Sequence, residues 1–177
     1  NLYLCNSRLN SYRQNFKYVD PENIDSDKFD EKYDKILDTK GNLISQFDKS
    51  NLFSKNGYLM ISNKKSKTFI PTEYSKGKIS RSLSYFAVKY NYTNELSNVI
   101  DPITLLKWNY NDPVDNEEFH KNIISYRYQN NFNYFILNPD LVLYSFIDLI
   151  DLNNQSNVEK INKIITNKQE KIIDVIP

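Results

Sequence analysis

Along the first part of the chain the apolar positions come in short runs broken by turn residues. From Lys35 to Phe47 they read Ile36-Leu37, a Thr39-Lys40-Gly41-Asn42 turn, then Leu43-Ile44 and Phe47. That order predicts a β-hairpin. A second hairpin is predicted from Tyr58 to Ile61 and Thr68 to Ile70, joined by the Lys-rich loop Ser62 to Lys67. Residues 1 to 18 read as a loop followed by a short helix. Asp20 to Lys35, dense in Asp, Glu and Lys after Pro21, reads as a solvated excursion.

From residue 79 onward the period lengthens to that of a helix. Ile79, Leu83, Phe86 and Tyr90 are spaced four, three and four apart, one face of a helix over 79 to 90. Asp101-Pro102 supplies an N-cap and a first-turn proline for a helix through Leu105, Leu106 and Trp108. After Asp112-Pro113 a helix from Asp115 to Tyr128 is predicted to turn Phe119, Ile123 and Tyr126 inward. Pro139 opens another, through Leu141, Leu143, Tyr144, Phe146 and Ile147. Beyond Leu152 a polar break precedes Val158, Ile161, Ile164, Ile165 and Ile172 among Lys and Glu. This is an amphipathic helix that packs on its own domain or on a partner through residues 153–177. The expected architecture is α+β and helix-rich in its second half, with one domain over 1–150 and a tail over 151–177.

Composition narrows the classes. With 40% hydrophobic and 14% aromatic residues in 177, the chain has the apolar content to build a core and is not of the disordered type. No run approaches the roughly 18 apolar residues of a membrane span, which argues against a membrane partner. Nor does a charged start followed by an apolar run mark a secretion signal. Asn1 rather than Met enters directly into an apolar segment, so the polypeptide is expected to begin upstream. The single cysteine, Cys5, excludes an internal disulfide framework and reads as a small buried residue; it favours a reducing compartment or a virion over secretion. A net charge of +1 gives no global attraction to a polyanion, so any nucleic-acid contact must be local. Such a patch is present: Lys64, Lys65, Lys67, Lys76, Lys78 and Arg81 face only Glu73 in residues 64 to 81, interleaved with Phe69 and Tyr74.

Three separated blocks carry a family resemblance. The first is Asn1-Leu2 with Asn10, Arg13, Asn15 and Phe16. Lys76-Gly77-Lys78-Ile79-Ser80-Arg81, continuing to Tyr85-Phe86, is the second. The third runs from Leu105 and Trp108 through Asp112-Pro113-Val114, Glu118, Asn122, Gln129, Asn131, Asn133 and Phe135-Ile136 to Pro139 and Leu141. In this order and spacing they resemble the endonuclease I family, metal-dependent nucleases of the ββα-metal (His-Me finger) type that cut without sequence preference. The resemblance covers residues 1 to about 147, with 20 to 62 poorly anchored.

The resemblance implies a site in which a strand carries a Glu-His pair and a helix carries an Asn. Glu and Asn hold one Mg²⁺, a cation that prefers oxygen ligands; the His takes a proton from water because its pKa lies near working pH. By position Asn10 is the metal-binding amide. Arg13, Lys76, Lys78 and Arg81 are implied contacts to the phosphates of DNA or RNA, although Arg13 could equally clamp an internal carboxylate. Asn15, Glu118, Asn122, Gln129, Asn131 and Asn133 are implied structural positions.

The Glu-His pair is not found in this sequence, whose one histidine, His120, reads as a boundary residue. Family order places the pair upstream of Asn1. The third block also departs where the family has Gly, Arg and an acid: this chain has Asn130, Phe132 and Leu137. Two readings follow, a nuclease completed upstream and a catalytically inactive descendant. The latter would serve in structure or DNA packaging, for example as a virion component. A bias to Asn, Lys, Ile and Tyr suggests an AT-rich genome.

Overall fold

A computed structural model describes residues 11, 13–20, 35–38, 42–43, 60–63 and 67–173. The contacts divide the chain into two units, one of residues 2–76 with 98–100 and one of 77–97 with 101–177. The second hairpin is present in the first unit as β3 (Met60–Asn63) and β4 (Thr68–Ile70), paired antiparallel with Ile61 opposite Ile70. The first hairpin begins with β2 (Lys35–Leu37), antiparallel to β3. Its return is marked by the Leu37–Leu43 bridge and by Asn42, whose N–H and Nδ2 donate to the Asp38 carboxylate at 2.8 and 2.9 Å.

Short β1 (Lys17–Tyr18) joins β4 in parallel, which gives the sheet order β1-β4-β3-β2. Tyr18 also bridges Ile100. Phe16, Leu37, Phe69, Ile70 and Ile100 are buried in this unit, and Tyr18 meets Phe69 edge to face at 6.1 Å.

Helix α1 (Glu73–Lys89) starts six residues before the apolar period predicts and has its first turn in the sheet unit. In the helical unit, α2 (Pro102–Asn111) is capped by Asp101, which accepts from the Ile103 and Thr104 N–H groups at 3.0 Å each. Its Leu105, Leu106, Trp108 and Tyr110 are all buried. Asp115 caps α3 (Asn116–Gln129), and α4 (Tyr134–Leu137) and α5 (Leu141–Phe146) follow. The amphipathic tail forms α6 (Gln155–Ile173) and packs on α2, within its own unit, with Ile161 buried. Lys168 reaches from α6 to the Asp140 carboxylate and lies 4.7 Å over the Tyr110 ring.

Two helices turn a different face inward than their apolar spacing predicts. On α1, Phe86 and Tyr90 are exposed, while Gly77, Ser80, Arg81, Ser84 and Ala87 form the buried stripe. On α3, Phe119 and Tyr126 are exposed, and the buried residues are Glu118 and Asn122. The apolar stripe is real in both cases, yet interior hydrogen bonds claim the polar one.

Replacing Asp101 by Ala leaves two N–H groups of the first turn of α2 without acceptors. Urea denaturation is expected to show a loss of about 1 kcal/mol.

Candidate functional site

The polar stripes of α1 and α3 meet around one arginine. Arg81 is fully buried, as is Glu118, and the two form a bidentate pair: Nε to Oε1 at 2.9 Å and Nη2 to Oε2 at 2.5 Å. Nη1 donates to the Asp112 carbonyl at 2.9 Å and to the Asn109 carbonyl at 3.3 Å. A buried ion pair is tolerated only with this degree of satisfaction, because each charge has lost its hydration. Glu118 is set in place by its own helix start, where its N–H donates to the Asp115 cap at 2.7 Å.

Gly77 is the position on α1 that lets the Asp112 loop come this close. A Cβ there would sit 2.0 Å from the Asp112 carbonyl oxygen and 2.9 Å from both Nη atoms of Arg81. The Gly77 N–H donates to Asp112 Oδ2 at 2.8 Å. Burial pushes the Asp112 carboxyl up to about 6; the Gly77 N–H and the Arg81 and Lys78 charges pull it back down, and Glu118 adds to the rise. For Asp115, burial acts upward, but the Lys78 ammonium 2.7 Å away and the Glu118 N–H outweigh it and hold the carboxyl below its ordinary value.

Two asparagines extend the network to the loop after α3. Asn122 accepts from the Asn133 N–H at 2.8 Å and donates to the Asn133 carbonyl at 3.1 Å, mimicking a strand partner. The Asn133 side chain donates to the Arg81 carbonyl at 3.1 Å and caps α4 by accepting from Phe135 N–H at 3.0 Å. Asn131 accepts from the Tyr85 hydroxyl at 2.9 Å. Asn130, where the resemblance has glycine, closes α3 in the left-handed conformation at φ 51°. Asparagine is among the few other residues that adopt it readily, so the loss of glycine leaves the turn intact.

The residues predicted from the sequence thus fall into three groups. Glu118, Asn122, Asn131 and Asn133 come together in the network, while Gln129 ends α3 exposed, its carbonyl accepting from Asn131 Nδ2 at 3.1 Å. Arg81 corrects the expectation of a phosphate contact: enclosed and paired with Glu118, it offers no donor to an external anion. Lys76 is likewise drawn inward, between Asp20 at 2.8 Å and Glu73 at 2.5 Å. Lys78 stays partly exposed at the surface, paired with Asp115.

In the sheet unit, the Arg13 guanidinium lies 4.6 Å over the Tyr18 ring, and its buried Nε has no hydrogen-bond partner. Asn15 is exposed in the adjoining turn. Asn10, Lys64 and Lys65 lie outside the described residues, and Lys67 is exposed at φ 53°. Among the described residues no group of three His, Cys, Asp or Glu side chains comes together to hold a metal ion. His120 is exposed on α3, its Nδ1 2.6 Å from the Asn116 carbonyl.

Asn109 and the close approach at Gly77 are not marked by the sequence as parts of a site. Their signal was the order Gly77, Asn109, Asp112, Glu118, which acquires meaning only when an arginine needs several acceptors at once.

Comparison with known proteins agrees with this arrangement of blocks. A family model described as Endonuclease I matches residues 1–140. No curated protein and no solved structure matches the chain.

Substituting Glu118 by Gln leaves the Arg81 charge buried without its counter-ion. Urea denaturation is expected to show a loss of about 3–5 kcal/mol, and Arg81→Met combined with Glu118→Gln a loss smaller than the sum of the two single changes.

Asp112 titrates in the opposite sense to a salt-bridged carboxylate. Its folded pKa is raised from 3.8 to about 6, so the native state holds the extra proton between these values, and this group's contribution to stability falls as pH rises through that window. Asp112→Asn, which cannot ionise, is expected to gain on the wild type between pH 4 and pH 7 in urea midpoints; a constant difference across that range would contradict the assignment.

Proposed function

The chain belongs to the endonuclease I family, and from that premise we propose that it is a divalent-metal-dependent endonuclease that hydrolyses the phosphodiester backbone of DNA, with RNA as a second substrate. Its activity class is that of a nuclease. The observation that carries the finer reading is that the family match spans residues 1–140, which include Asn10 as well as the block from Gly77 to Asn133. Asn10 would supply an amide oxygen to the cation, for which Mg²⁺ suits an oxygen donor set. The bound cation would stabilise charge on the phosphorane and on the leaving 3′ oxygen.

In this reading the Glu that would share the cation and the His that would take the proton are the pair that the family resemblance implies and that is not found in this sequence. His120 does not fill that role, since one ring nitrogen is engaged by its own helix and the residue stands on the far side of α3 from the buried stripe. Backbone recognition needs no groove-reading element, and the lysines left at the surface, Lys67 and Lys78, suit phosphate oxygens. Exposed as such contacts are, they act through charge and are screened by salt.

A catalytically inactive structural or DNA-packaging member of the family, for example a virion component, is the second reading. It is favoured by Phe132, which stands where the resemblance has arginine and stacks on Tyr126 at 4.1 Å.

Plasmid nicking by the complete gene product, with Mg²⁺ and with chelator, separates these readings. Cleavage is expected only with the metal, and Asn10→Ala is expected to lower it by about 100-fold or more. Undiminished cleavage in that variant would remove Asn10 from the metal site; salt-sensitive DNA binding with no cleavage selects the second reading.

A further inference from the structure

Helix α1 stops at a turn that gathers rings. Asn91 takes the left-handed conformation at φ 58°, its N–H donates to the Val88 carbonyl at 3.4 Å, and the Tyr92 N–H reaches back to the Ala87 carbonyl at 2.8 Å, the two bonds of a Schellman stop. The stop folds Tyr92 onto α1. Its ring stacks on Phe86 at 5.6 Å and 15°, while Tyr90, one turn past Phe86, meets the same ring at 4.9 Å. A helix stop needs only one apolar contact between the returning residue and the last turns, yet here three rings joined through Phe86 are each left half exposed.

The charges beside the rings are few. Lys89 stands three residues from Phe86 and so shares that face of the helix, where it is exposed. Glu95, exposed in the turn after Tyr92, is the only other charged residue between Arg81 and Asp101. Neither forms an ion pair among the described residues.

Contiguous exposed rings on a folded chain mark a contact surface, and the charges decide for what. With one charge of each sign the segment exerts no net pull on a polyanion. A two-fold axis, by contrast, sets a patch against itself, so that any charge on it must find its opposite on the same patch. Lys89 and Glu95 meet that condition, and flat rings pack well on rings.

We propose that this face is a contact between two copies of the chain, in which Phe86, Tyr90 and Tyr92 of one copy pack on the same rings of the other and Lys89 of each meets Glu95 of the other. Three half-exposed rings a side withdraw roughly 600 Å² of ring surface from water in all, which belongs to weak, transient association rather than to an obligate dimer. The face takes no part in the nuclease reading, so the outcome of plasmid nicking leaves the proposal untouched.

Sedimentation velocity of the complete protein over roughly 5 to 500 µM tests this. The expected result is a monomer that shifts reversibly toward a dimer as concentration rises. Lys89→Glu and Glu95→Lys each set like charges across the axis and are expected to raise the dissociation constant about tenfold, whereas the double variant, with both signs reversed, returns to within about twofold of the wild type. Both side chains are exposed and make no ion pair of their own, so these changes leave the fold intact. Tyr90→Ala is expected to weaken the dimer about tenfold or more, with Tyr90→Phe close to the wild type.

A monomer at every concentration overturns the proposal. So does a double variant that associates no more tightly than either single one, or an association indifferent to Tyr90→Ala. Oligonucleotide binding that Tyr90→Ala abolishes in a protein that stays monomeric overturns it too, and assigns the rings to nucleic acid.

Discussion

The buried pair of Arg81 and Glu118 sets the terms for the helical unit. A guanidinium removed from water must have its donors met, and a carboxylate its oxygens. Nε and Nη2 are met by Glu118, and Nη1 by the carbonyls of Asn109 and Asp112. These acceptors come from α3, from the end of α2 and from the loop between them. One planar cation thereby fixes where three pieces of chain stand, and a mismatch of even one acceptor would leave a charge or a donor uncompensated.

Its neighbours are chosen by the same constraint. Gly77 is required because the Asp112 carbonyl passes where a Cβ would be, even though glycine in a helix interior costs about 0.5–1 kcal/mol relative to alanine. The Asp112 carboxyl is pushed up to about 6 because burial disfavours its charge and the Glu118 charge adds to the rise, against the pull of the Gly77 N–H and of Arg81 and Lys78. The Asn122 side chain satisfies the Asn133 backbone, and the Asn133 side chain passes the constraint on to the start of α4. The same interior demand explains why aromatic side chains stand outside: with the polar stripes of α1 and α3 committed inward, Phe86, Tyr90, Phe119 and Tyr126 have only the surface left.

Function divides along the same line as structure. The block from Gly77 to Asn133 holds the buried network, in which Arg81 and Glu118 are spent on one another. Chemistry at a metal rests in the proposed mechanism on Asn10 and on the Glu-His pair that family order puts before it. The family match over residues 1–140 spans both parts, as expected when a scaffold and a site are inherited together.

Local chemistry determined what the sequence alone could show: the two hairpins, the Asp101 cap, the amphipathic tail helix and the α+β class, because turn residues, capping side chains and periodicity act over a few neighbours. The family resemblance also implied Glu118, Asn122 and Asn133 as structural positions. Which face of α1 and α3 lies inside was decided by the tertiary structure. Periodicity identifies a stripe but not its direction, and a polar stripe enters the interior when distant partners satisfy every group on it. Arg81 carries the difference most plainly: beside lysines in the sequence it reads as a phosphate contact, and only the arrival of Glu118, 37 positions away, makes it the centre of the fold.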